Sequence, residues 1–246
     1  VTQLNLLCLP YSGASAMVYS RWRRKLPEWL HLSPVELPGR GARFAEPFHT
    51  DMRELAGQLA LEIRDTLRAP YALFGHSLGA LLACELAHAL RALGCPEPVA
   101  LFASGTAAPT LRTEYDRGFA EPKTDAQLIE QLRTLNGTSE EVLANRELMN
   151  LTLPILRADF LLCGRFRPLQ RPLLNCPVHV LGGRADRATT EQLIGWSKET
   201  HGGFSVDMLA GGHFFIHEHE ARVLSLIKGH LEVHRRRHQP QVAMSL

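Results

Sequence analysis

Tyr71-Ala72-Leu73-Phe74-Gly75-His76-Ser77-Leu78-Gly79-Ala80-Leu81-Leu82-Ala83 decides how this chain folds. Tyr71 to Phe74 is a short apolar run of the kind that forms a buried strand, and Leu78 to Leu93 reads as an apolar helix that packs inside. Between them stands Gly75-His76-Ser77-Leu78-Gly79, a G-x-S-x-G sequence in the strand–turn–helix context that the motif requires. The glycines let the backbone reverse sharply without Cβ clashes. The turn pushes Ser77 out at the end of the strand, and the first amides of the helix point at the place where negative charge would develop. Ser77 is the candidate nucleophile, and Leu78 N–H is the first candidate oxyanion donor.

The same alternation repeats on either side. Leu4–Leu9, Leu32–Leu37, Val99–Ala103 and Val178–Leu181 are apolar runs closed by Pro, Ser or Gly. Between them lie helix-period segments such as Met52–Leu67, with Leu55, Leu59, Ile63 and Leu67 four apart. Strands alternating with helices predict a mostly parallel central sheet covered on both faces. The pattern breaks between about 109 and 166, where two helical stretches, Asp125–Leu135 and Ser139–Leu161, follow each other with no strand signal. Thr138 or Ser139 is the expected cap of the second. This predicts a helical lid inserted into one α/β domain spanning 1–234, with a pair of ordinary covering helices as the plainer alternative. Residues 235–246 read as a basic, flexible C-terminal tail opened by Arg235-Arg236-Arg237, for which solvation is the simpler role and an acidic partner the other.

A serine hydroxyl is a weak nucleophile at neutral pH and needs a base. In the serine-then-acid-then-histidine order that belongs with this motif, the base lies late in the chain. Gly211-Gly212-His213-Phe214-Phe215 follows the strand-like run Val206–Leu209 and nominates His213. Val178-His179-Val180-Leu181-Gly182-Gly183-Arg184-Ala185-Asp186 gives a strand, a glycine turn and then an acid, which nominates Asp186 to orient that histidine. Asp207 is a rival acid, ranked lower because it falls inside a predicted strand. The loop Pro10-Tyr11-Ser12-Gly13-Ala14-Ser15 after the first strand is the expected source of the second oxyanion amide, from Ser12 or alternatively Tyr11. His76 is read as a packing residue. His217 and His219 lack the acidic or cysteine ligands of a metal site and are read as the start of a helix. Pro38-Gly39-Arg40-Gly41 lacks the spacing of a dinucleotide loop; Arg40 and Arg43 are expected on a solvated loop, with phosphate binding as the alternative.

Composition narrows the class further. The 246 residues are 45% hydrophobic with a formal net charge of +2, so charge alone favours neither nucleic acid nor a membrane surface. Five cysteines, an odd number without C-x-x-C spacing, read as free thiols in a reducing compartment. No leader-like segment opens the sequence and no apolar run is long enough to span a bilayer. The expectation is a cytoplasmic monomer without metal or cofactor.

Several separated segments together resemble the type II thioesterases, the free-standing editing hydrolases of polyketide and non-ribosomal peptide synthesis, which have the α/β-hydrolase fold. Leu7–Ser15 is similar to the family's F-P-H-A-G-G-S, and Glu36–Arg43 to its P-G-R-x-x-R. Gly75–Gly79 matches its G-H-S-x-G, Leu135–Thr138 and Leu153–Asp159 resemble its lid, and Gly182–Asp186 and Gly211–Phe215 match its acid and base loops. The resemblance implies a Ser77–Asp186–His213 triad and oxyanion amides from Ser12 and Leu78. It also implies, as substrate and partner, an acyl or peptidyl carrier protein with an acyl thioester on its phosphopantetheine arm. Three departures stand out: Tyr11-Ser12 where the family usually has His-Ala, Ala14 for a second glycine, and Thr106-Ala107 for an arginine pair. A medium-chain thioesterase of fatty-acid synthesis, a general carboxylesterase and a non-catalytic carrier-binding protein are the alternative functions.

Overall fold

The computed structural model describes residues 3–135 and 137–237. In chain order the elements are β1 (Leu4–Leu9), β2 (Leu30–Pro34), α1 (Met52–Ile63), β3 (Tyr71–His76), α2 (Leu78–Ala92) and β4 (Leu101–Ser104). Then come α3 (Glu114–Arg117), α4 (Asp125–Leu135), α5 (Glu140–Ala144), α6 (Arg146–Arg165), β5 (Val178–Gly183) and α7 (Thr190–Ile194). The chain continues through β6 (Phe204–Leu209), α8 (Phe215–Glu218) and α9 (Glu220–Arg237). The strands form one six-stranded sheet in the order β2-β1-β3-β4-β5-β6, and every neighbouring pair is parallel.

Alternation along the strands divides the apolar residues between two faces. Leu7 and Leu9 of β1 join Leu55, Leu59, Leu81, Leu86 and Trp196 on one side. Leu4, Leu6 and Cys8 join Trp22, Phe74, Phe102, Ile227 and Leu231 on the other. A 3-10 stretch, Ala16–Arg24, and α9 bring Trp22 and Ile227 to the second face. Helices α3 to α6 fall between β4 and β5, as the broken alternation predicts, and hold a smaller core of their own with Leu128, Leu143, Met149, Leu153, Leu156 and Phe160.

Several boundaries differ from the sequence reading, each for a local reason. The second strand is Leu30–Pro34 rather than Leu32–Leu37. After Val35 N–H donates to Cys8 O, the chain leaves the sheet toward the Pro38-Gly39 turn, and Leu37 goes into the core without joining the ladder. Helix α1 stops at Ile63, whose carbonyl accepts from Thr66 Oγ1. The expected Ser139–Leu161 helix is two helices, because the Asn145 side chain accepts from Leu148 N–H and starts α6 afresh. Of the two proposed caps, Ser139 is the one that accepts from Val142 N–H. At the other end, α9 runs to Arg237, so the basic stretch begins inside a helix. Arg235 lies over the Trp29 ring at 5.0 Å and bonds Glu232; the rest of the expected tail, 238–246, lies outside the described residues. Among the described residues no helix is long and apolar enough to cross a membrane.

Trp22 is a test of the second face. It is 2% exposed and meets Tyr19 and Phe74 edge-on, with centroids at 4.9 and 5.0 Å. Trp22→Ala is expected to lower the unfolding free energy by about 3–5 kcal/mol in urea titration.

Candidate active site

Strand β3 delivers Ser77 and helix α2 carries the chain away from it. Ser77 has φ 56° and ψ −118°, and it is the one non-glycine residue with positive φ among the described residues. A serine in this conformation costs on the order of 1–3 kcal/mol and persists only where its surroundings hold it. Two contacts do so: Ser77 N–H donates to Ser104 O at 2.7 Å, and Ala80 N–H donates to Ser77 O at 3.1 Å. The flanking glycines allow the elements to close up. A Cβ on Gly75 would stand 2.0 Å from Gly79 O, and one on Gly79 would stand 2.2 Å from Leu9 O.

The acid and base loops meet beside this turn. Asp186 follows β5 in a tight turn closed by Asp186 N–H to Gly183 O at 3.1 Å. His213 Nδ1 lies 3.1 and 3.0 Å from the two Asp186 carboxylate oxygens, with side chains only 13% and 4% exposed. This pairing puts the proton on Nδ1 and leaves Nε2 as an acceptor. Ser77, Asp186, His213, Ser12 and Leu78 all line one pocket of about 270 Å³. The arrangement can take a proton from a hydroxyl onto Nε2 while the carboxylate stabilises the resulting imidazolium. Asp207, the rival acid, is elsewhere, 3.9 Å from His230 Nε2. A second nucleophile lines the pocket, Cys163, but burial pushes its thiol up to about 11, so it stays protonated at neutral pH.

Of the other three histidines singled out in the sequence, His76 packs on the base and His217 joins it through Tyr11 and Phe214. His76 is fully buried with Nδ1 2.9 Å from Ser104 Oγ, and its ring lies 5.0 Å from that of His213. Burial holds its pKa well below the ordinary imidazole value, so it is a neutral support for the base. His217 Nε2 meets Tyr11 OH at 2.9 Å, and Tyr11 sets its ring edge-on to His76, Phe214 and His217. His217 is likewise shifted down by burial.

The loop after β1 is fixed from outside. Ala14 N–H to Tyr11 O at 3.0 Å, with Gly13 at φ 81°, makes a type II turn in which the Ser12 N–H takes no part. Gly13 N–H donates to Asp159 Oδ2 at 2.8 Å, and Asp159 is bound end-on by Arg40 at 2.7 and 2.6 Å. Arg40 also donates to Ala14 O at 3.2 Å. The expectation that Arg40 lies on a solvated loop is therefore wrong: its side chain is 4% exposed and that of Asp159 0%. Arg43 is also committed, to Glu46 and Glu62. Sequence reasoning passed over Asp159, although it sits in α6 three residues beyond buried Leu156, on the side that faces inward. Removing one partner of a buried pair strands the other charge. Asp159→Ala is thus expected to cost about 3–5 kcal/mol of unfolding free energy, and the double variant Arg40→Met/Asp159→Leu to recover most of it in the same denaturation experiment.

Residues 4–231 match the family model described as the thioesterase domain. Linear gramicidin dehydrogenase LgrE of Brevibacillus parabrevis is 38% identical, the match covering 92% of this chain and 87% of that one. Thioesterase PikA5 of Streptomyces venezuelae is 33% identical, covering 94% and 82%. The solved structure of the type II thioesterase BorB from the borrelidin biosynthetic cluster superposes with a TM-score of 0.83 at 37% identity, covering 94% and 93%. The fold shared with it is the α/β-hydrolase fold expected from the sequence. On a family match spanning nearly its whole length, the chain belongs to the thioesterase domain family and is an enzyme that hydrolyses thioesters.

Proposed function

We propose that the chain is a type II editing thioesterase that releases aberrant or stalled acyl groups from the phosphopantetheine arms of carrier proteins in polyketide or non-ribosomal peptide synthesis. The observation that carries the reading is the Asp186–His213 pair opening into the same pocket as Ser77 on its positive-φ turn. The names of LgrE and BorB, tied to gramicidin and borrelidin, support the pathway class. The dehydrogenase in LgrE's name is not carried over. The glycine-bearing Pro38–Gly41 loop lacks the dinucleotide spacing, and Arg40 within it is held by Asp159.

In the proposed reaction Ser77 Oγ attacks the thioester carbonyl carbon as its proton passes to His213 Nε2. The amides of Ser12 and Leu78 stabilise the tetrahedral oxyanion. Collapse breaks the C–S bond; the arm's sulfur leaves with the imidazolium proton, and Ser77 carries the acyl group. Water then gives a proton to His213 and its oxygen to the carbonyl carbon. The second collapse releases the acid and returns the proton to Ser77 Oγ. Asp186 accepts from Nδ1–H throughout. Helices α3 to α6 act as the lid over the acyl pocket. The reading also takes the enzyme to be a monomer in a reducing, cytoplasmic setting, which its five free cysteines support.

Ser77→Ala is expected to lower kcat on acyl-carrier thioesters by at least about 10³-fold, and Asp186→Asn by roughly 10⁴-fold, with folding unchanged by circular dichroism. A Ser77→Ala variant as fast as the parent would sink the mechanism. Equal rates on oxygen esters, with indifference to the carrier, would replace the carrier substrate by general ester hydrolysis.

A further inference from the structure

The wall of the pocket contributed by the α3–α6 region is polar in a directional way. Arg112, Tyr115, Asp116 and Gln131 all line it. The Arg112 side chain is only 8% exposed, and its protein contacts use one nitrogen: Nη2 donates to Cys163 O at 3.1 Å and faces Asp116 Oδ1 at 3.5 Å. Among the described residues no acceptor meets the N–H groups of Nε and Nη1. Asp116 is spent differently. Its Oδ2 accepts from both Thr113 N–H and Thr113 Oγ1, at 2.7 and 3.0 Å, while Oδ1 faces Arg112. Gln131 Oε1 accepts from Tyr115 OH at 2.6 Å, which leaves its amide N–H groups as donors. On this wall the carboxylate of Asp116 and the amide oxygen of Gln131 are engaged, while N–H donors of Arg112 and Gln131 remain.

These donors open into the pocket, where solvent meets them in the free protein; an acyl chain that displaces that water without supplying an oxygen leaves them unmet, and one that carries an acceptor does not. The ligand must supply an acceptor, because guanidinium can only donate. Asp116 already offsets the charge of Arg112, and the other guanidinium lining the pocket, Arg187, lies over the Tyr115 ring at 4.1 Å, so the free donors of Arg112 call for a neutral acceptor rather than a second carboxylate. The space is small, about 270 Å³ for the acyl group and the end of the arm together.

Building on the thioesterase reading, we infer that Arg112, assisted by Gln131, is a specificity residue for short acyl groups carrying a neutral oxygen acceptor, a keto or amide carbonyl, beyond the thioester. Plain alkyl chains of equal length leave these donors unmet and are poorer substrates. Arg112 takes no part in bond making; it positions the acyl chain by its far oxygen.

The test compares hexanoyl, 3-oxohexanoyl, 5-oxohexanoyl and 5-carboxypentanoyl groups on one purified carrier protein. At least one oxo substrate is expected to exceed hexanoyl in kcat/KM by about 10-fold, with the carboxylated substrate gaining no such advantage. Arg112→Met is expected to bring the oxo-to-hexanoyl ratio close to one, and Gln131→Met, on the partly exposed side of α4, to lower it about 2-fold to 3-fold. An oxo-to-hexanoyl ratio near one in the parent, or a ratio retained in both variants, overturns the inference. A preference for the carboxylated chain overturns its neutral-acceptor form. If none of the four thioesters is hydrolysed and a fluorophosphonate leaves Ser77 unlabelled, the thioesterase reading fails first and the specificity falls with it. Hydrolysis of hexanoyl without preference sinks the specificity alone.

Discussion

The buried ion pair of Arg40 and Asp159 joins three parts of the chain that approach the pocket from different directions. Arg40 comes from the loop after β2, Asp159 from helix α6 of the insertion, and the backbone they grip, Gly13 N–H and Ala14 O, from the loop after β1. A pair so fully desolvated is weak as a source of net stability, since dehydrating both charges offsets most of their attraction. Its value is geometric. Four charge-assisted or backbone hydrogen bonds converge on one point, and the amide of Ser12 stands one residue away from it. The roof of the pocket and the proposed oxyanion amide are thus referenced to the same fixed atoms.

Around the base a second set of contacts works without charge. Tyr11 stands where the resembling family usually has histidine, and its ring fills the space among His76, Phe214 and His217. Burial keeps His76 and His217 on the neutral side, so the imidazole that packs on His213, that of His76, does not repel a proton arriving on its ring. The insertion reaches this cluster too: a Cβ on Gly137 would fall 1.9 Å from the Phe214 ring, so a larger residue there would push that ring aside.

What could be read from the sequence was what local chemistry dictates. Ser77, Asp186 and His213 each sit in a short segment where a strand ends and glycines force a turn, so the strand-end turns that carry these candidates were visible without knowing the fold. The strand alternation gave the parallel sheet in the same way. Arg40 was misplaced because its partner is 119 residues away, and nothing around Pro38-Gly39 points to Asp159. The end of β2 was misread because Leu37 is as apolar as a strand residue while serving the core from outside the ladder. The break at Asn145 depended on one side chain outcompeting the helix for a backbone amide, a contest that periodicity does not register.

The separate core of the insertion has an evolutionary consequence. Leu128, Leu143, Met149, Leu153 and Leu156 pack largely on one another, and the two larger cores on the sheet close without them. Ser77, Asp186 and His213 are carried by the sheet, whereas Phe119, Gln131 and Phe160 reach the pocket from the insertion. Drift in the second group therefore changes what the cavity admits while the residues of the first keep their scaffold. A lineage with this architecture can retune its selectivity in many small steps, each tested by selection, without first passing through a broken enzyme.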